Sequence, residues 1–231
     1  MRYRCPRASQ PIRIDGSLTD PQWAKAPWTD YFVDIEGDLK PRPRFKTRAK
    51  MMYDDDYFYI AADMEEPHLW ATLTEHDSVI FHDHDFEVFI DPDGDAARYF
   101  EFEINALNTT WDLFLPKAYR DGGSADNSWE THAITAVNLR GTLNDSRDFD
   151  DGWSVEMAFP WACFADGGMP VPPRSGDVWR VNFSRVEWPI VPLPNGGYEK
   201  PEGCKEDNWV WAPQGVVDMH QPEQWGYVEF A

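Results

Sequence analysis

The sequence predicts an all-β protein: a two-sheet antiparallel β-sandwich, jelly-roll-like, of about ten strands joined by loops and short helical turns. Three features carry that reading. Runs of β-branched and aromatic residues alternate with polar residues at period two, from residues 45–53 through to residues 225–230. Clusters of Pro, Gly, Asp and Asn separate the runs. No stretch at helical period exceeds about two turns.

Taken in order, residues 11–14 read as a short strand, Asp15-Gly16 as a turn, and the segment up to Trp23 as a one-turn helix. Thr19 or Asp20 caps that helix and Pro21 takes its first position, so Trp23 is expected to tuck under the sandwich. Residues 45–53 and 57–62 form a hairpin around Asp54-Asp55-Asp56, a turn that also has the oxygen ligands of a calcium corner. Residues 66–83 lack periodicity and read as a loop carrying His68, His76 and His82. Strands follow at 111–115, 132–139, 152–159 and 179–185, with a single helical turn at 160–164 and a stiff connection at 170–173. The Pro- and Gly-rich stretch 189–207 is too long for a simple turn, and segments 209–211 and 225–230 close the sheet.

The most informative stretch is the hairpin of residues 84–95 and 98–105. Alternation places Phe86, Val88 and Ile90 on one face and Asp85, Glu87 and Phe89 on the other. On the second strand Phe100, Phe102 and Ile104 oppose Glu101, Glu103 and Asn105. Carboxylates on adjacent strands repel one another unless a cation, an arginine or a hydroxyl-bearing ligand lies between them. A solvated outer face is the plainer account of the same pattern. The turn Asp91-x-Asp93-Gly94-Asp95 has the oxygen ligands of a calcium site without the downstream glutamate of an EF-hand loop, and a hairpin turn accounts for it equally well.

The length of 231 residues suits one large domain spanning residues 1–231. A formal net charge of -20 repels phosphate, so nucleic acid is a poor partner, and no apolar span is long enough for membrane insertion. Cys5, Cys163 and Cys204 have no zinc spacing and allow one disulfide at most. Residues 1–3 carry no export signal, which fits either an intracellular protein or a trimmed one. Aromatic residues make up 15% of the chain, with 12 Trp, more than a core requires. Trp23, Trp153, Trp161, Trp179 and Trp225 are expected in the core; Trp188, beside Pro189 and the long loop, reads equally well as a binding platform.

Together, Ile14-Asp15-Gly16 with Trp23, the runs 57–62, 85–92 and 102–105, the run 153–161, the run 179–183 and Trp225-Gly226 resemble the family 9 carbohydrate-binding modules, in that family's order and over nearly the whole chain. The resemblance implies a sandwich with structural calcium, non-catalytic binding of carbohydrate, association with glycan-degrading enzymes, often xylan-degrading ones, and a secreted or periplasmic location. In the family a terminal sugar lies between two tryptophans. By position these fall near Phe81 and Met219 here; Glu87 matches a sugar-contacting glutamate, Glu103 stands where the family has an arginine, and Asn105 and Trp211 agree with the pattern. The candidate ligand residues are therefore Phe81, Glu87, Glu103, Asn105, Asn182, Glu187, Trp188, Trp211 and Met219, with Asp91, Asp93 and Asp95 as candidate calcium ligands. Two other readings use the same region. Pairs among Glu87, Glu101, Glu103, Glu156 and Glu187 have the composition of a glycosidase acid and base, and His82, His84, Met219 and His220 are candidate ligands of a haem held without CxxCH attachment.

Overall fold

The computed structural model describes residues 1–168 and 170–231. Its strands, in chain order, are β1 (Arg2–Cys5), β2 (Val33–Asp34), β3 (Thr47–Tyr53), β4 (Tyr57–Met64), β5 (Asp85–Asp91), β6 (Ala97–Asn105), β7 (Thr110–Lys117), β8 (Ile134–Arg140), β9 (Gly152–Pro160), β10 (Val178–Glu187), β11 (Val191–Pro192), β12 (Tyr198–Glu199), β13 (Asp207–Val210) and β14 (Gly226–Phe230). Among the described residues, the only helical segments between them are short 3-10 turns. The all-β expectation holds, with more strands than the sequence suggests because several have two to four residues.

Two sheets pack face to face. The larger runs β1-β14-β10-β5-β6-β7, with β13 also paired to β10 and β2 paired to β13; the smaller runs β3-β4-β9-β8. Strand β10 organises the larger sheet. One edge pairs with β5 through Arg180–Ser184, and the other pairs first with β14 and then with β13. All pairings are antiparallel except that of β1 with β14. The sequence reading missed β1: its four residues alternate exposed Arg2 and Arg4 with buried Tyr3 and Cys5, too short a run to register as a period.

The core between the sheets takes the faces that alternation assigned to it. Phe86, Val88 and Ile90 of β5 and Phe100, Phe102 and Ile104 of β6 pack against Met51, Ile60, Trp153, Val155, Met157 and Phe159. All five tryptophans expected in the interior are buried. They occupy three different clusters, however. Trp153, Trp161 and Trp179 lie between the sheets, Trp225 lies on the outer face of the large sheet, and Trp23 on the outer face of the small one. Burying one such ring contributes on the order of 2–3 kcal/mol.

The N-terminal segment is held by one carboxylate. Glu156 points out of the small sheet and accepts from the Asp15 and Gly16 amides at 2.8 and 2.7 Å and from the Trp23 indole Nε1 at 2.7 Å. Residues 11–14 therefore make no strand, contrary to expectation: the amides at the following turn are aimed at Glu156 instead of at a neighbouring strand. Gly16 has φ +80, and a Cβ there would lie 2.7 Å from the Val137 carbonyl carbon, so the backbone lies directly on β8. The 3-10 turn Pro21–Lys25 begins as predicted, with the Asp20 side chain accepting from the Gln22 amide and Pro21 at its start. The Asp54 carboxylate accepts from the Asp56 and Tyr57 amides and the Tyr59 hydroxyl, which accounts for it as a turn residue. Within the long 189–207 stretch, β11 and β12 form a two-stranded ribbon.

Replacing Glu156 by Ala leaves three donors unpartnered, two of them buried, and should cost roughly 3 kcal/mol in urea unfolding, whereas Trp23→Phe, which removes one donor and part of the buried ring, should cost about 2 kcal/mol. A Glu156→Ala loss within about 0.5 kcal/mol, the range of ordinary surface substitutions, would show that this clamp is not what docks the N-terminal segment.

Candidate functional site

The outer face of the large sheet is not solvated. Alternation sends Asp85, Glu87 and Phe89 of β5 and Glu101, Glu103 and Asn105 of β6 to this face, and the register sets Glu87 directly opposite Glu103 and Phe89 opposite Glu101. Loop segments then cover it. Met219 and Trp225 pack with Phe89, Tyr99, Leu113, Leu115 and Val210 into a second apolar cluster, and the turn Ile80–His82 folds against β6. As a result Asp85, Glu87, Glu101 and Glu103 are only 0%, 5%, 5% and 1% exposed.

Between these covering loops lies a cavity of about 350 Å³. Glu87, Glu101, Glu103 and Phe89 form its sheet side; Phe81 lines it from the 80–82 turn, and Met219 and His220 from the loop ahead of β14. Glu206, Asn208 and Asp218 also line it, and none of its lining residues is Lys or Arg. A second cavity of about 500 Å³ shares Ile35, Glu206, Asn208 and Val217 with it, so the depression continues past β13.

Phe81 is fixed through its backbone on both sides. Its amide donates to Glu103 Oε2 at 2.9 Å, and its carbonyl accepts from Trp188 Nε1 at 2.8 Å. The Lys200 ammonium lies 3.9 Å from the Trp188 ring centroid and donates to the His82 carbonyl. Behind Phe81 stands Trp111, its ring centroid 6.3 Å away. A buried pair holds the preceding loop: Asp83 accepts from the Thr72 and Leu73 amides and from Asn105 Nδ2, while Asn105 Nδ2 also donates to the Leu73 carbonyl.

The structure thus brings Phe81, Glu87, Glu103 and Met219 into one cavity and places the other candidates elsewhere. Asn105 spends its amide on the loop just described and, through Oδ1, on the Leu107 and Thr109 amides. Asn182 exchanges both hydrogen bonds with the Ala212 backbone, anchoring the base of the loop that carries Met219. Trp211 lies in the core between the sheets, against Tyr3 and Phe183. Glu187 belongs to a buried ion network in which Arg185 Nη2 contacts Glu66 at 2.6 Å and Glu187 at 2.9 Å, with His84 3.4 Å from Glu66. Trp188 supports Phe81 without lining the cavity. Of the wider glycosidase set, Glu156 is engaged on the other sheet; of the histidines, His84 sits in the ion network and His220 contacts the Tyr99 hydroxyl at 2.9 Å. Glu206 and Asp218 escape the sequence reading because they arrive on irregular segments, and Asn208 because its strand, β13, has only four residues and no clear period; Glu101 shows the same alternation as Glu103.

The carboxylates of the hairpin turn have different surroundings. Asp91 accepts from the Gly94 and Ala96 amides, Asp93 and Asp95 from the Asp95 and Ala97 amides, and Arg98 Nη2 lies 2.7 and 3.1 Å from Asp93 and Asp95. Turn amides and one guanidinium therefore engage this group. The buried carboxylates of the β5–β6 face have less compensation: one backbone amide each on Asp85 and Glu103, and among the described residues no guanidinium or ammonium within ion-pair distance. Burial pushes Glu87 up to about 7, and burial together with the charge of Glu87 pushes Asp85, Glu101 and Glu103 well above the ordinary carboxylate range. Burial also lowers His220 to about 4, so that imidazole supplies no positive charge at neutral pH.

Because the folded state binds the Glu87 proton more tightly than the unfolded chain does, the contribution of Glu87 to stability is present at low pH and lost as pH rises through about 7. Glu87→Gln should therefore stabilise the metal- and ligand-free protein relative to wild type at pH 8 by roughly 1–3 kcal/mol more than at pH 5. Urea unfolding at the two pH values measures this; an equal difference at both would mean that Glu87 is not electrostatically strained.

Three kinds of likeness bear on this architecture. The sequence profile of the Carbohydrate family 9 binding domain-like family matches residues 14–174. A stretch of 116 residues, 49% of the chain, is 28% identical to Exoglucanase XynX of Acetivibrio thermocellus, of which it spans 9%. The fold is that of a family 9 carbohydrate-binding module from Caldicellulosiruptor kristjanssonii, whose complexes with cellotriose and with glucose give TM-scores of 0.62 and 0.64 at 16% identity over 100% of this chain and 93% and 96% of theirs. A protein of Bacteroides uniformis ATCC 8492 gives 0.70 at 15% identity over 100% of this chain and 99% of its own. The profile match over residues 14–174, most of the sequence, shows the family: the chain belongs to the Carbohydrate family 9 binding domain-like family.

Proposed function

We propose that the chain binds the end of a neutral gluco- or xylo-oligosaccharide, without cleaving it, in the cavity lined by Phe81, Glu87, Glu101, Glu103 and Met219. The observation that carries this reading is the combination, in one cavity, of an aromatic ring fixed at its backbone and buried carboxylates with free acceptor capacity. Sugars are held in water by that combination: the apolar ring face stacks on an aromatic side chain while hydroxyls donate to carboxylates. Met219 contributes a polarisable contact in place of a second ring. A volume of about 350 Å³ lies at the low end for small-molecule sites, and the adjoining cavity gives the following sugar units a path across the sheet edge. A net charge of -20 is compatible with an uncharged polysaccharide.

The likeness to a stretch of an exoglucanase, together with the glucose and cellotriose complexes of the structural neighbour, supports β-linked glucans as the first ligands to try. We further propose a role for this domain beside glycan-degrading enzymes, in a secreted or periplasmic setting.

Titration calorimetry with glucose, cellobiose, cellotriose and xylotriose in calcium-containing buffer tests the reading. At least one should bind, and Phe81→Ala should weaken it at least tenfold, about 1.4 kcal/mol, while Phe81→Trp preserves or tightens it. Blocking the reducing or non-reducing end should abolish binding at the end that the cavity holds. Binding indifferent to both Phe81→Ala and Glu101→Gln would move the site off this face.

A further inference from the structure

We propose that Asp85, Glu87 and Glu103 hold a calcium ion beneath the sugar cavity, at a site separate from the acidic hairpin turn. Each of the three offers an oxygen, and these oxygens all lie within 4.8 Å of one another. Calcium takes oxygen ligands at about 2.3–2.6 Å, so one ion among them can touch all three. The residues come from two hydrogen-bonded strands, with Glu87 directly opposite Glu103 and Asp85 two residues along the same face. The ligand positions are therefore set by the sheet.

A second, independent observation points to a cation here. Asp85 is fully buried, and while its Oδ1 accepts from the Val186 amide at 3.1 Å, its Oδ2 has no hydrogen-bond partner. Glu101, beside the group, leaves Oε2 unpartnered in the same way. Among the described residues no Lys or Arg lies within ion-pair distance of Asp85, Glu87, Glu101 or Glu103; the one basic side-chain nitrogen at that distance is His220 Nε2, 4.0 Å from Glu101. Buried unpaired carboxylate oxygens are costly, and a divalent ion compensates several at once.

The donor set is all oxygen, which selects a hard cation over zinc, and three carboxylates drawn from a pleated sheet suit the flexible shell of calcium better than the strict octahedron of magnesium. The hairpin turn offers a similar number of carboxylates but has Arg98 and turn amides on them. Glu87 and Glu103 line the cavity while Asp85 does not, so the open side of the shell faces the ligand. Resting on the carbohydrate-binding reading, this makes sugar hydroxyls or water the remaining ligands.

The test uses the full chain stripped of metal with a chelator and returned to buffer without glycan. Calorimetry with calcium chloride should show one equivalent bound, weakened at least tenfold by Asp85→Asn and by Glu87→Gln and unchanged by Asp93→Asn. Terbium bound at the same place should show tryptophan-sensitised emission, because Trp111 is directly opposite Glu103 across β6 and β7. Circular dichroism of the metal-free variants should match wild type. Absence of calcium binding, or binding lost in Asp93→Asn and retained in Asp85→Asn and Glu87→Gln, would overturn the site. These measurements contain no sugar and so stand or fall independently of the carbohydrate reading. In a second arm, chelation should weaken glycan binding at least tenfold; calcium bound as described with glycan affinity unchanged by chelation would refute the shared coordination shell.

Discussion

Four carboxylates buried on one face of a β-sheet, without a basic residue among them, set the terms for the rest of the large sheet. Strand alternation makes this placement unavoidable, because the partners of Glu87 and Glu103 along the same strands, Phe86, Val88, Phe102 and Ile104, are needed inside. A fully solvated outer face would have kept the carboxylates ordinary. Here the loops bearing Phe81, Met219 and Trp225 close over them, and the electrostatic strain that follows marks the face as a place for a ligand.

The closing loops are themselves held by polar side chains of the same face. Asn182 secures Ala212 at the base of the Met219 loop, Asn105 and Asp83 secure residues 72 and 73, and Glu103 reaches the amide of Phe81. Positioning and the proposed binding thus share one surface. The small sheet solves a parallel problem differently, since its fully buried outward carboxylate, Glu156, is satisfied by three donors of the N-terminal segment and remains structural, while its half-buried one, Asp63, is paired with Arg48 and Arg140.

The division between legible and hidden follows from what periodicity encodes. The β5–β6 hairpin, its inward phenylalanines and its outward glutamates could be read directly, as could the Asp20-Pro21 helix start and the interior tryptophans. Alternation names the face of a residue but not whether its polar group is already engaged, and so Asn105 and Asn182, on the right face, were expected to meet ligand although backbone groups take them. Trp211 lies just beyond the end of β13, where alternation no longer applies; its amide donates to the Phe183 carbonyl and its ring turns into the core. Glu206, Asp218 and Asn208 reach the cavity only because of how the loops and the short β13 fold back over the sheet, a long-range outcome that no local pattern carries. The family resemblance supplied Phe81 and Met219, which composition alone does not single out.

Amide chemical-shift mapping during a titration with cellotriose tests the assignment of this face most directly. Ligand held on the buried carboxylates must disturb the Phe81 amide, which donates to Glu103, together with the amides of Met219 and His220. Shifts confined to that group, leaving the amides of residues 7–10 and 54–56 around the other large cavity undisturbed, would place the sugar as described. Shifts centred on residues 7–10 and 54–56, with Phe81 and Met219 silent, would contradict it.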